Sequence, residues 1–184
     1  KFESDTAVLI YFNNVNSGNP STDSTYAYDS LGENWHGPRT LIAQLPTKNQ
    51  WDNVSLKNVT RTIFNEISGN TTTGGTLPSN FSYEGYAARL LTVEEIRQAT
   101  RKSNIPTLEV GELNNAIYLM ENTRFSSKNN GPWAWWLENS SSNYSNVAQN
   151  ASGNTCNVNG NYVQDAGGNG VRPAIEVSKI NIDY

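Results

Sequence analysis

Two apolar runs bracket the C-terminal part of this chain. Trp133-Ala-Trp135-Trp136-Leu137 stands before it and Val171-Arg-Pro-Ala-Ile175-Glu-Val177 after it. Aromatic and β-branched runs of this kind want burial in a sheet. Between them, from Asn139 to Gly170, the single charged side chain is Asp165, in a tract otherwise built almost wholly from Asn, Ser, Gly, Ala, Val and Tyr. Small polar residues supply little core, and with both ends anchored the tract is expected to be a displayed loop region.

Upstream, Ala7-Val-Leu-Ile-Tyr-Phe12 reads as a buried strand and Asn13 to Thr25 as a polar loop. Gly37-Pro38 ahead of Leu41, Ile42 and Leu45 predicts a short helix stopped by Pro46. Trp51 to Ile67 fits neither period, and Ser68 to Asn80 reads as a loop. Tyr86 to Leu91 predicts a strand running into a helix from Val93 to about Lys102. Thr92 and Glu95 have capping-box spacing, in which each side chain satisfies a free backbone N–H at the helix start. Val110, Leu113, Ile117 and Met120 recur at helical spacing and predict a second helix. Within the tract, Asn159-Gly160 is a preferred two-residue turn that predicts a hairpin of Thr155–Val158 with Asn161–Gln164. Its register places Cys156, Val158 and Val163 on one face, and Thr155, Asn157, Tyr162 and Gln164 on the solvent face. In the closing strand Val171, Ile175 and Val177 share a face, and Pro173 marks an unpaired edge.

Composition narrows the function. At 184 residues one domain is expected, 1–184, with 139–170 as its displayed ligand-binding tract. Five Trp, nine Tyr and five Phe suffice for one core. With a net charge of −4 and no basic cluster beyond Arg101-Lys102, counterion release has little to act on, so no nucleic-acid partner is expected. No apolar run approaches the ~20 residues that cross a bilayer, so no membrane insertion is expected. Cys156 is the single cysteine, which rules out an internal disulfide. Sequons at Asn53, Asn58, Asn70, Asn80, Asn139, Asn143 and Asn150 are no surprise in a chain so rich in Asn, Ser and Thr.

Candidate chemistry is sparse. His36 is the single histidine, and neither it nor Cys156 stands in the context of an activated nucleophile. One His and one Cys cannot assemble a zinc site of the usual kind. Glu94-Glu95 open a predicted helix, where capping accounts for them. Gly167-Gly-Asn-Gly170 precedes a strand and lacks a P-loop lysine, so it reads as a turn. Asn157-Val-Asn-Gly-Asn161 resembles half of a calcium loop but has no closing Glu. No metal and no cofactor is expected. What the tract does match is the Tyr, Ser, Gly and Asn composition of adaptable binding loops. Asn139, Asn143, Tyr144, Asn146, Asn150, Thr155, Asn157, Asn159, Tyr162, Gln164 and Asp165 are the candidate contact residues. Of Trp133, Trp135 and Trp136, at least two are expected to be buried scaffold.

The order of the motifs carries a resemblance. An N-terminal strand, Gly37-Pro38, Ala88-Arg-Leu-Leu-Thr92-x-x-Glu95, Trp133-x-Trp-Trp-Leu137 and Gly170-Val-Arg-Pro-Ala-Ile175 together resemble the C-type-lectin-like fold, from about Ala7 to Val177. The resemblance implies an α+β fold: small antiparallel sheets, two or three helices, paired N- and C-terminal strands and a long C-terminal loop region. Two groups of this fold look alike here. One is the variable proteins of diversity-generating retroelements, where adenine-directed mutagenesis rewrites Asn codons into Tyr, Ser, Asp, Gly, Thr, Ala or Val codons. The other is the head domain of pilin-like or lipid-anchored surface adhesins. The calcium motif of sugar-binding relatives is missing, and a single Cys does not fit formylglycine-generating enzymes. The resemblance therefore implies a non-catalytic, monomeric, extracellular or cell-surface protein that binds an unknown protein or cell-surface ligand.

Overall fold

In the computed structural model the described residues are 5–11, 25–34, 37–50, 60–61, 81–93, 95–96, 133–141, 144–152 and 157–182. Their strands are β1 (Thr6–Ile10), β2 (Thr60–Arg61), β3 (Phe81–Ser82), β4 (Ala134–Ser140), β5 (Val147–Ser152), β6 (Asn157–Tyr162), β7 (Asn169–Gly170) and β8 (Ala174–Ser178). Two short 3-10 turns, Leu41–Gln44 and Lys179–Asn181, complete the set. The principal sheet has the order β6-β5-β4-β7, with β7 parallel to β4 and the other pairs antiparallel. β1 and β8 form an antiparallel ribbon with Ala7 opposite Val177 and Leu9 opposite Ile175, and β2 pairs with β3.

Among the described residues the architecture is mostly β, with no helix of seven residues or more, which corrects the expected α+β class with its two or three helices. Of the helix predicted over 93–102, the described residues are Val93, Glu95 and Ile96, which are helical. The second predicted helix lies outside the described residues. The Thr92–Glu95 capping box is formed reciprocally: the Glu95 N–H donates to Thr92 Oγ1 at 3.1 Å, and the Thr92 N–H donates to Glu95 Oε2 at 2.9 Å. From Tyr86 to Leu91 the expected strand is reduced to single bridges, Tyr86 with Thr47 and Arg89 with Ala174. β1 also departs from expectation: Val8 and Leu9 are 37% and 45% exposed, because a two-stranded ribbon cannot cover both of its faces.

The larger correction concerns the tract from Asn139 to Gly170. It is not a long loop region; it supplies β5, β6 and β7. The reason is steric complementarity along β4. Successive side chains of a strand point to opposite faces, so Trp135 and Trp136 project from opposite sides of the sheet, and neither has any exposed surface. Their partners on β5 are Ala151 and Asn150. Trp135 centres one cluster with Leu91, Val93, Ile96, Leu137, Ala151, Val158 and Ala174. Trp136 centres the other, with Tyr28, Leu41, Leu45, Tyr83, Leu90, Ala148, Val163 and Val171. Bulk on β4 and small residues on β5 fill both layers without overpacking.

The same pairing overrides the expected hairpin at Asn159-Gly160. β6 runs straight through these residues, with Asn159 opposite Asn150 and Gly160 opposite Gln149. Glycine is needed here for packing, since a Cβ at Gly160 would lie 2.9 Å from Val147 Cγ1. Val158 and Tyr162, placed on opposite faces by that hairpin, share a face of β6. Two of the three tryptophans are buried, as expected, and Trp133 is 37% exposed, its indole lying against Gly168.

If β5 must be thin, Ala151→Leu overpacks the space beside Trp135 and costs about 1–3 kcal/mol. Urea unfolding checks this against the exposed-site control Ser145→Leu; equal midpoints for the two variants would refute the bulk-and-gap account.

Candidate functional site

Three segments meet at one end of the principal sheet: the turn between β4 and β5, the end of β6, and the loop over residues 29–34. Asn34 joins them. Its buried side-chain amide Nδ2 lies 2.9, 2.7 and 2.7 Å from the carbonyl oxygens of Ser141, Tyr144 and Val147. Its backbone N–H donates to the Ser145 carbonyl at 2.6 Å. Next to it, Val163 N–H donates to the Asn146 carbonyl at 2.9 Å, and Asp29 N–H donates to the Val163 carbonyl at 3.1 Å. The Gln164 side chain rests on Gly32, whose φ of +87° and lack of Cβ permit that contact. Backbone groups that would otherwise need water are thereby paired inside the protein, and the turn is held without regular structure.

On this support stand Tyr144 and Tyr162, each 64% exposed, with Leu31 at 65%. Ser145, Asn146 and Gln164 are exposed beside them in the chain. Tyrosine offers rigid amphipathic contact area at low entropic cost, and the neighbouring amides both donate and accept. The arrangement suits recognition of a neutral polar or mixed surface.

Of the residues expected to make contact, Tyr144, Asn146, Tyr162 and Gln164 come together here. Asn139 and Asn150 do not; both are buried. Asn139 Oδ1 accepts the Val93 N–H at 2.8 Å, and Asn150 Nδ2 donates to Asn169 Oδ1 at 2.6 Å. They are scaffold, and their sequons are unreachable in the folded chain. Asn159 is half-buried. Asp165 closes a turn, accepting from the Gly167 N–H at 2.7 Å and from Asn161 Nδ2 at 3.0 Å. Asn143 and Thr155 lie outside the described residues, as do His36 and Cys156. Asn157 lies in β6, and its side chain is not among those described. Sequence reasoning missed Leu31 and Asn34, because the role of each depends on where the 29–34 loop docks, and no local pattern records that.

The buried ionisable groups of the described residues are committed to structure. Buried Asp29 pairs with Arg39 at 3.3 Å and accepts the Leu31 N–H at 3.0 Å. Tyr83 Oη donates to the buried carboxylate of Glu138 at 3.0 Å, and Tyr28 Oη donates to the Glu138 carbonyl at 2.7 Å. Burial first, and then the negative charge of Glu138, hold both phenols well above their ordinary ionisation range. Burial opposes the charge on Arg89, but its hydrogen bonds to Glu95 and the charges of Glu95, Glu176 and Glu138 outweigh that, raising its pKa. Arg172 lies 5.0 Å above the Trp135 ring and donates through Nε to the Tyr11 carbonyl; burial lowers its pKa to about 10.

A small cleft beside Arg89, lined by Tyr83, Tyr86, Ala174 and Glu176, has a volume of about 10 Å³, room for roughly one water. Among the described residues no three His, Cys, Asp or Glu side chains converge on a possible metal position, and no helix is long and apolar enough to cross a membrane. No family model, curated protein or solved structure matches the chain.

Two measurements probe this construction. Asn34→Ala strips the amide from buried carbonyls and is expected to cost about 1–3 kcal/mol, with faster amide exchange at Tyr144 to Val147 than in the rest of β5. Uniform exchange across β5 would sink the anchoring role. The raised pKa of Tyr28 and Tyr83 means that folding favours their neutral forms, a contribution present below the unfolded value near 10 and lost as pH rises above it. In an alkaline titration followed at 295 nm, Tyr28 and Tyr83 should ionise in a late step, together with the loss of tertiary circular dichroism. A Tyr28→Phe, Tyr83→Phe variant with an unchanged late step would contradict this.

Proposed function

We propose that this is a non-catalytic ligand-binding protein of the cell surface or extracellular space, and that its contact surface is the sheet end bearing Tyr144, Ser145, Asn146, Tyr162, Gln164 and Leu31. The observation that carries the reading is the exposure of both tyrosines on segments tied, through Asn34 and Val163, to a sheet with both faces buried. A surface that binds by neutral contacts gains affinity when its backbone is held before the ligand arrives. We further propose that the protein is diversified, as retroelement variable proteins are, with variation confined to the exposed positions. The composition of the tract supports this. The burial of Asn139, Asn150 and Asn169 limits it, since a change at any of them removes an internal hydrogen bond.

A displayed library tests the reading directly. Randomising positions 144, 145, 146, 162 and 164 should leave most clones folded, with changes within about 0.5 kcal/mol, and should yield binders when panned against a panel of purified proteins. Randomising 139, 150 and 169 should yield mostly unfolded clones. Binders arising equally from both libraries would sink the proposed surface. Separately, the diversification proposal requires a reverse transcriptase gene nearby and a near-copy of the tract's codons differing only at adenines; a locus with neither overturns it.

A further inference from the structure

The principal sheet holds a polar knot inside it. On the Trp136 side of the sheet, Ala134 has Ser152 as its partner on β5 and Asn169 as its partner on β7. Asn150, two residues before Ser152 on the same face of β5, reaches across to Asn169 with a 2.6 Å hydrogen bond. All three polar side chains are at most 1% exposed. Yet Asn150 Oδ1, Asn169 Nδ2 and Ser152 Oγ have no hydrogen-bond partner among the described residues. Reorienting the amides does not solve this. Exchanging O and N in Asn150 alone sets two oxygens against each other, and exchanging both still leaves one oxygen and one nitrogen unsatisfied. Leaving three such groups dry in a sheet interior is costly, and native proteins fill such sites with ordered water.

We propose that one internal water sits over Ala134 and bridges β5 to β7. It accepts from Asn169 Nδ2–H, donates to Asn150 Oδ1, and uses its remaining capacity on Ser152 Oγ. The chemistry selects water over a cation, because a cation would face the Asn169 N–H. It also explains why the position between Ser152 and Asn169 is alanine: a larger side chain would occupy the space. The segment over the site is itself fixed by backbone polar groups, with Tyr26 N–H donating to the Asn169 carbonyl at 2.9 Å and the Tyr26 carbonyl accepting from Trp136 Nε1 at 2.6 Å. β7 has just two residues, so this water supplies part of what keeps the closing segment on the sheet.

The test is water–amide cross-relaxation on ¹⁵N-labelled protein. A resident water gives cross-peaks to the side-chain NH₂ groups of Asn150 and Asn169, with the sign pattern of a molecule held for longer than overall tumbling. Ala134→Val is expected to abolish these peaks by filling the site. Ser152→Ala, a smaller change chosen in case the valine variant does not fold, is expected to weaken them. The absence of any water peak at both amides in the parent protein, or peaks unchanged in a folded variant of either kind, overturns the proposal.

Discussion

Two adjacent tryptophans on one strand impose a constraint that the rest of this molecule answers. Trp135 and Trp136 must point to opposite faces, and both are wholly buried, so the sheet has to be covered on each side. Each ring takes so much space that the residues directly across from the two tryptophans on the neighbouring strand are small, Ala151 and Asn150, while the larger Gln149 is buried further along it. β5, with Ala148, Asn150, Ala151 and Ser152 all buried, is therefore a core strand despite its hydrophilic composition. What it contributes is fit, since the volume comes from β4 and from the segments that fold over it.

The second half of β4 does different work. Between Trp136 and Ser140 the register with β5 slips, four residues on β4 spanning two on β5. Such an irregularity frees side chains and backbone from the ladder. Glu138 N–H turns to the Leu91 carbonyl, Glu138 Oε2 accepts from Tyr83, and Asn139 Oδ1 accepts from Val93. Segment 83–93 is thus fastened to the sheet by polar contacts where β-ladder pairing lapses. Arg89 extends the fastening to the ribbon, exchanging backbone bonds with Ala174 and an ion pair with Glu176 on β8. Removing a single partner here would strand a buried charge, which costs far more than the intact pair contributes.

How much of this was legible in the sequence follows from which interactions are local. The Trp-Trp-Leu run declared a buried strand, and Thr92 with Glu95 declared a helix start, because both signals lie within a few residues of their effect. The Asn159-Gly160 turn failed because its local preference was weaker than pairing along the whole of β5. The α+β expectation failed with the long loop region it required: Ala and Asn beside tryptophan are strand residues, and no propensity scale registers what stands across the ladder. Asn34 and Leu31 were invisible for the same reason, since nothing within the 29–34 segment indicates that it docks against residues more than a hundred positions away.

The tract's asparagines make the point most sharply. Asn139 and Asn150 hold the interior together, Asn146 is exposed at the sheet end, and Asn159 lies half-buried on a face shared with Asn150. One residue type serves each purpose because a neutral amide can satisfy a buried donor and acceptor as readily as it can meet a ligand, with no charge to desolvate. Composition therefore cannot separate scaffold from contact in such a tract, whereas strand register can. Any mechanism that varied asparagines indiscriminately would break Asn139 and Asn150 as often as it remade the surface. A chain that tolerates variation must then confine it to positions such as 144–146, 162 and 164, where backbone pairing through Asn34 and Val163 persists whatever exposed side chain stands above it.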